Sequence, residues 1–425
     1  MAATRPDEER IARPDYSALA SQPDAPRLIA SLIGAASDAT CAGRQMETTR
    51  EMRTARNAHD VVVARSDYVY QAHPHIAVAP DGTWLVVFNN TVRGEHTLHP
   101  PHDPRYRNML TRSFDQGHNW EPAEVVPGYE WSGVECSGLT VLSSGEIMLN
   151  QWQFEWVPLG RALNAQSRYD LPEAFASEMT DSGELETGPK IAGRARKFAP
   201  WARGKGRTVV HFSADSGGSW LETHQIDTAP YSGGYGLRGA VETKDGRLIM
   251  PLNDIPDYQR IFVVVSHDRG RTWGKPIFAA WSPDHLFTEP DLLENNDGSL
   301  LLVFRDDRTG HLFRAFSEDG GATWSEAIQT PIAGYPPQLL KTSDGRVLCT
   351  YGHRKPDYSI RAVFSRDGGR TWDVENTICI RGGLPNKDLG YPGTIWTKSG
   401  EFFTVYYCQD GRGITGIEAT FWSPP

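Results

Sequence analysis

Titratable and hydrogen-bonding residues recur at one place in this chain's internal register. Six short turns, at Asp81-Gly82, Ser144-Gly145, Asp245-Gly246, Asp297-Gly298, Asp344-Gly345 and Ser399-Gly400, each lead into an apolar run. Nine or ten residues before these glycines stand His73, Glu135, Leu237 with Arg238 beside it, Glu289, Tyr335 with Pro336, and Tyr391. Seven to nine residues after them stand Asn89, Trp152, Asn253, Arg305, His353 with Arg354, and Tyr407. A position repeated six times for packing alone would be apolar or glycine throughout. Acids, phenols, imidazoles and guanidiniums at this register predict a ring of polar groups around one pocket, equipped to bind and process a small polar ligand. Hydrogen bonding of strand ends accounts for a few of these side chains, but not for both series.

The elements that must hold such a ring are equally repetitive. Ser-x-Asp-x-Gly-x-x-Trp occurs five times, at Ser113–Trp120, Ser213–Trp220, Ser266–Trp273, Ser317–Trp324 and Ser365–Trp372. Its centre is a turn signal and its Trp an apolar anchor. These boxes alternate with the turns at a period near fifty residues, the mark of a propeller or array. Six units of about four short strands predict an all-β, six-bladed β-propeller. The last unit lacks a box and ends in ITGIEATFW, so it is expected to borrow a closing strand from the N-terminal side, Asp60–Ala64. A seven-bladed ring, with an extra blade after Trp152, is the alternative. Residues 1 to about 58 read as a polar leader with a short helix over Leu28–Ala36 capped by Asp24, and the propeller as 59–425. Blade two carries an insertion of about 155–206, poor in strand pattern, which reads as a face loop or a bare connector.

The chain has 425 residues and a net charge of −10, with no long basic stripe, which argues against nucleic acid and anionic membranes as partners. The local cluster Arg194, Arg196, Lys197, Arg203, Lys205 and Arg207 reads as a solvated loop. Five cysteines without CxxC spacing argue against a disulfide framework or structural zinc. The polar start, MAATRPDEERIARPD, is unlike a secretory signal, and no stretch can span a bilayer, so the expected location is the cytoplasm. The sequence assigns no oligomeric state.

The five boxes on six blades resemble those of the sialidase (neuraminidase) superfamily, over about Tyr68 to the C-terminus. TEPDLLENNDGSLLLVFRDD is similar to the sialidase segment in which a Glu precedes a turn and an Arg ends the next strand, which maps onto Glu289 and Arg305. DLGYPGTIWTKSGEFFTVYY is similar to the segment bearing the family's nucleophilic Tyr, which maps onto Tyr391. TYGHRKPDYSIRAVFSRDGGRTW offers Arg354, or else Arg361, as a further arginine for the substrate carboxylate. The resemblance implies a retaining glycosidase acting on an acidic mono- or oligosaccharide. Arginine forks would bind the sugar's acid, and Glu289 would draw the proton from the Tyr391 phenol. A Tyr nucleophile is the recognised sialidase exception to the two-carboxylate rule. Arg238, Glu135, His353, His99 and Tyr335 complete the expected substrate-binding set.

Two departures bear on substrate. Where sialidases carry an Arg-Ile-Pro-like motif, this chain has Ala72-His73-Pro74-His75, so His73 replaces the first arginine. The loop expected to hold the acid/base Asp reads RGEHTLHPPHDPRYR, with His96, His99, His102 and a single Asp, Asp103. These histidines fit a scattered surface, a catalytic or substrate-binding role, or a metal site. No cofactor is otherwise expected. The chain is therefore read as a hydrolase acting on an acidic sugar other than sialic acid, with Tyr391, Glu289, Asp103 and His73 catalytic. The alternatives are a lyase on uronate-containing glycans using His and Tyr as acid and base, and a non-catalytic glycan-binding propeller.

Overall fold

A computed structural model describes residues 52–93, 105–128, 133–158, 175–179, 185–186, 197–255 and 258–425. The expected leader helix over Leu28–Ala36 and the loop bearing His96, His99, His102 and Asp103 lie outside these residues. Six sheets of four to six strands follow one another along the chain as a six-bladed β-propeller. The single helical piece among the described residues is a 3-10 turn, Val374–Asn376.

Blade four shows the plan. Phe287–Glu294 is innermost, followed outward by Leu300–Asp306, His311–Ser317 and Ile328–Ala333, all antiparallel. Each turn predicted from the sequence joins the first strand of a blade to the second. Each box begins on the last residue of a third strand, as at Ser317. Turns and boxes therefore share one face, and the other face receives the starts of the inner strands and the ends of the second strands. Both polar series of the sequence fall on that second face.

The ring closes where expected. Arg56–Ala64 pairs antiparallel with Thr415–Ser423 as the outermost strand of blade six. Just before it, Arg53–Thr54 pairs parallel with Ile378–Arg381 at the edge of blade five. Part of the blade-two insertion is more strand-like than expected. The second strand runs on to Pro158 and the third starts at Lys197, with Phe175–Met179 and Leu185–Glu186 added alongside. Trp152, Phe154 and Trp156 explain this: they continue a period of two past the blade's rim, Trp152 stacking on Phe154 (centroids 4.4 Å apart) and Phe154 meeting Trp156 edge to face (5.2 Å).

Among the described residues the apolar core falls into six clusters: five lie between neighbouring blades, and the sixth, where blade six meets blade one, also takes in residues of blades two and three. Blade strands are thus covered on both faces, which is why Leu248–Ile255 is buried throughout its length. The box Trp residues ride on these clusters. Trp324 of blade four packs into the cluster shared with blade three, and Trp372 of blade five into the one shared with blade four. Side chains of the channel strands also clasp the next blade's backbone. His75 Nδ1 accepts from Leu139 N–H (3.0 Å), Asp291 Oδ2 from Leu339 N–H (2.6 Å) and Gln338 Oε1 from Thr394 N–H (3.1 Å).

Candidate active site

The inner strands break register at the position the sequence singled out. The ladder shifts between Ala72 and His75, Glu135 and Gly138, Thr288 and Asp291, and Gly390 and Gly393. At three of these bulges the pivotal residue adopts a left-handed backbone: His73 (φ 54°), Glu289 (φ 53°) and Tyr391 (φ 51°). Such a conformation costs a residue with a Cβ about 1–3 kcal/mol and persists where the surroundings over-determine it. A bulge re-aims a side chain that would otherwise lie between blades. Repeated around the ring, it lets side chains from separate blades meet.

They meet at Tyr391. Its phenol donates a hydrogen bond to Glu289 Oε1. The other carboxylate oxygen of Glu289 takes Arg305 Nη1 at 3.0 Å. Arg305 also pairs through Nε with Asp307 and lies flat on the Tyr335 ring, 3.9 Å from its centroid. Arg354 stands beside it, donating to Leu389 O (2.8 Å) and to the Tyr407 hydroxyl (2.9 Å), with its guanidinium 5.6 Å from the Tyr391 centroid. Gly390, next to that arginine, has φ 126°, a backbone that favours glycine. The His73 imidazole stacks on the Tyr391 ring, centroids 3.8 Å apart and 21° from parallel, and meets Tyr407 edge-on.

Charge balance suits a proton-accepting carboxylate. Burial alone would raise the Glu289 carboxyl, but Arg305, the Tyr391 hydrogen bond and Arg354 outweigh it and hold Glu289 below the usual value. Burial lifts the Asp307 carboxyl above its usual value, and the negative Glu289 adds to that while Arg305 opposes it. Glu289 and Asp307 in turn keep Arg305 firmly protonated against the cost of its burial.

The remaining expected residues are spread more widely. Tyr335 belongs to the cluster, as the platform for Arg305. His353 lies at the end of a second strand, near Asp357 (3.2 Å), with burial lowering its basicity. Arg361 sits on the third strand of blade five, in a pair with Asp357. Glu135 occupies its inner strand opposite Trp152. Arg238 is buried in the channel and donates through Nε to Pro337 O (3.1 Å). Beside it a cavity of about 520 Å³ opens toward the turn face, lined by His75, Asp291, Gln338 and Glu242 among others. Burial pushes Asp291 up to about 6 and His75 down to about 3, with Arg238 nearby. This cavity lies at the end of the channel away from Arg305 and Arg354, and the candidate site is the Tyr391 cluster, where phenol, carboxylate and guanidinium groups touch. Sequence reasoning missed Asp307, although it stands two residues after Arg305. It also missed Asn108 and Gln151, which have no counterpart in the repeat register.

Comparison with known proteins agrees with this architecture. A family profile described as a BNR repeat-like domain matches residues 194–404. A sialidase of Bacteroides fragilis is 27% identical over 192 residues, 40% of this chain and 34% of its own length, so the match spans about a third of that relative. Among solved structures, a Dyadobacter fermentans protein of unknown function superposes with a TM-score of 0.71 at 21% identity, covering 87% of this chain and all of its own. A Hadza microbial sialidase gives 0.58 at 18% identity, over 82% of this chain and 65% of that one. The NanB sialidase of Streptococcus pneumoniae gives 0.57 at 15% identity, over 85% and 70%. At such identities the superpositions speak for the fold. The chain is thus a six-bladed propeller similar in fold to sialidases, with a BNR repeat-like match over residues 194–404.

Proposed function

We propose that the protein is a retaining exo-glycosidase acting on an acidic sugar, with Tyr391 as nucleophile and Glu289 as its base. The observation that carries this is the Tyr391 phenol bonded to a Glu289 carboxylate whose other oxygen is pinned by Arg305. In the first step the phenolic oxygen forms a bond to the anomeric carbon while the bond to the leaving oxygen breaks. The phenol proton passes to Glu289, and the leaving oxygen takes a proton from an acid, the role that the resemblance gives to Asp103. Water then attacks the same carbon and gives its proton to the carboxylate that the acid left behind, the bond to Tyr391 breaks, and Glu289 returns the proton to the phenolate. Arg305 and Arg354 supply guanidinium forks for the sugar's carboxylate. A phenol is neutral until it reacts, so it can approach an anomeric centre beside a negative group. The test is a screen of aryl glycosides of acidic sugars, reading the anomeric configuration of the first product. Retention that is lost in Tyr391→Phe supports the reading. An unsaturated uronate absorbing near 235 nm, formed equally well by Tyr391→Phe, would assign the chemistry to a lyase.

A further inference from the structure

His73 holds the place where the resembling family carries an arginine, and a line of buried amides leads away from its ring. Nδ1 lies 3.1 Å from Asn89 Oδ1. Asn89 Nδ2 donates to Asn108 Oδ1, Asn108 Nδ2 to Gln151 Oε1 at 2.8 Å, and Gln151 Nε2 to the backbone carbonyl of Pro127 at 2.6 Å. His73, Asn89, Asn108 and Gln151 are each less than 5% exposed. The oxygen and nitrogen of an amide look alike in outline, so the direction of such a line is usually open. Here its far end settles it. A backbone carbonyl can only accept, so the nitrogen of Gln151 must face Pro127. That turns the Gln151 oxygen toward Asn108, the Asn108 oxygen toward Asn89, and the Asn89 oxygen toward His73. Reversing any member would set oxygen against oxygen in a dry interior, at a cost of about 1–3 kcal/mol for each buried group left without its bond.

We propose that this one-way chain fixes the imidazole proton of His73 on Nδ1 and makes Nε2 of the neutral ring an acceptor, so that this position selects a sugar hydroxyl or amide N–H rather than a carboxylate. Asn89, Asn108 and Gln151 are then positioning residues acting through His73. An arginine in the same place would present only donors, fit for a carboxylate. Whatever meets Nε2 of the neutral ring meets a lone pair instead. The sugar's acid is left to Arg305 and Arg354. The tautomer half of the proposal stands on the amide chain alone, and the selectivity half rests on the glycosidase reading above.

The tautomer is read directly by nitrogen NMR of protein labelled with 15N-histidine, the His73 signals being those missing from His73→Gln. At a pH where the ring is neutral, a protonated Nδ1 and a lone-pair Nε2 are expected. Asn89→Asp keeps an acceptor beside Nδ1 and should keep this pattern. Asn89→Leu removes the acceptor and should let the Nε2–H form appear. Should Asn89→Leu fold poorly, Gln151→Leu breaks the chain at its origin and should have the same effect. An Nε2–H ring in the parent, or an unchanged tautomer in a folded variant lacking the acceptor, overturns the proposal. Since this readout needs no turnover, it fails or survives independently of the glycosidase reading. For selectivity the probe is N-acetylneuraminic acid in a calorimetric titration. His73→Arg should bind it at least about tenfold more tightly than the parent, and equal affinity would overturn the selectivity half.

Discussion

Removing one oxygen atom from Tyr391 separates binding from chemistry. Tyr391→Phe keeps the ring stacked on His73 and leaves Glu289 on Arg305. It should lower kcat by on the order of 10²–10⁴-fold while a substrate's affinity, measured calorimetrically, stays within about threefold. Arg305→Lys should act chiefly on KM, raising it by about 10–100-fold, because an ammonium can neither bridge Glu289 and Asp307 nor lie flat on Tyr335. The depressed Glu289 carboxyl also sets a pH dependence. The base must be ionised, so kcat/KM should hold as pH falls through the ordinary glutamate range near about 4.3 and decline only below it. An acid limb centred near pH 6 would show that another group governs the step. The sequence disclosed Glu289, Tyr391 and His73 because their repeat position is also the bulge position, and one backbone event was written several times over. It did not disclose Asp307 or the Asn89–Asn108–Gln151 line, since those side chains meet across strands and blades with no common spacing.

The boxes show how an element can be both surface turn and rivet. In each, the Asp accepts the backbone N–H and side chain of the residue before the Trp, as Asp319 does from Thr323 at 2.9 and 2.6 Å. These bonds hold Asp115, Asp215 and Asp319 at about 2. Their folded value lies below the unfolded one of about 3.9, so their stabilisation is complete above about pH 4 and is lost as pH falls toward 2. Melting temperature should therefore drop steeply over that interval, and Asp319→Ala should flatten the drop by close to one proton's worth of slope. Trp324→Ala should cost about 2–3 kcal/mol in denaturant unfolding, because its ring covers the cluster between blades three and four. Both variants should retain the site's chemistry, the boxes being on the opposite face from the Tyr391 cluster. Turns and boxes were legible as strand ends because Gly and Asp punctuate them. The long strands that reach into the blade-two insertion were not, because they continue blade strands with no turn signal of their own between Trp152 and Pro158.

At the scale of the whole molecule, six similar blades must close without leaving an open edge. Asp60 and Thr420 meet in the closing pair although 360 residues separate them, and Arg56 Nε donates to Pro424 O at 2.9 Å. Blades one to four each form from neighbours in the chain, but this seam joins one of the earliest strands described to the last. Time enters the structure at that point. As a growing polypeptide emerges, Arg56–Ala64 has no partner until every other blade has been made, and its edge must stay unclaimed throughout. Closing that seam is a loop closure over about 360 residues, the pairing whose entropic cost is highest among those described. Joining residue 425 to residue 52 by a short linker and opening the chain between two blades would make that pairing local. Such a permutant should fold faster in stopped-flow refolding while unfolding at the parent's rate, the seam having been moved in time and left unaltered in space.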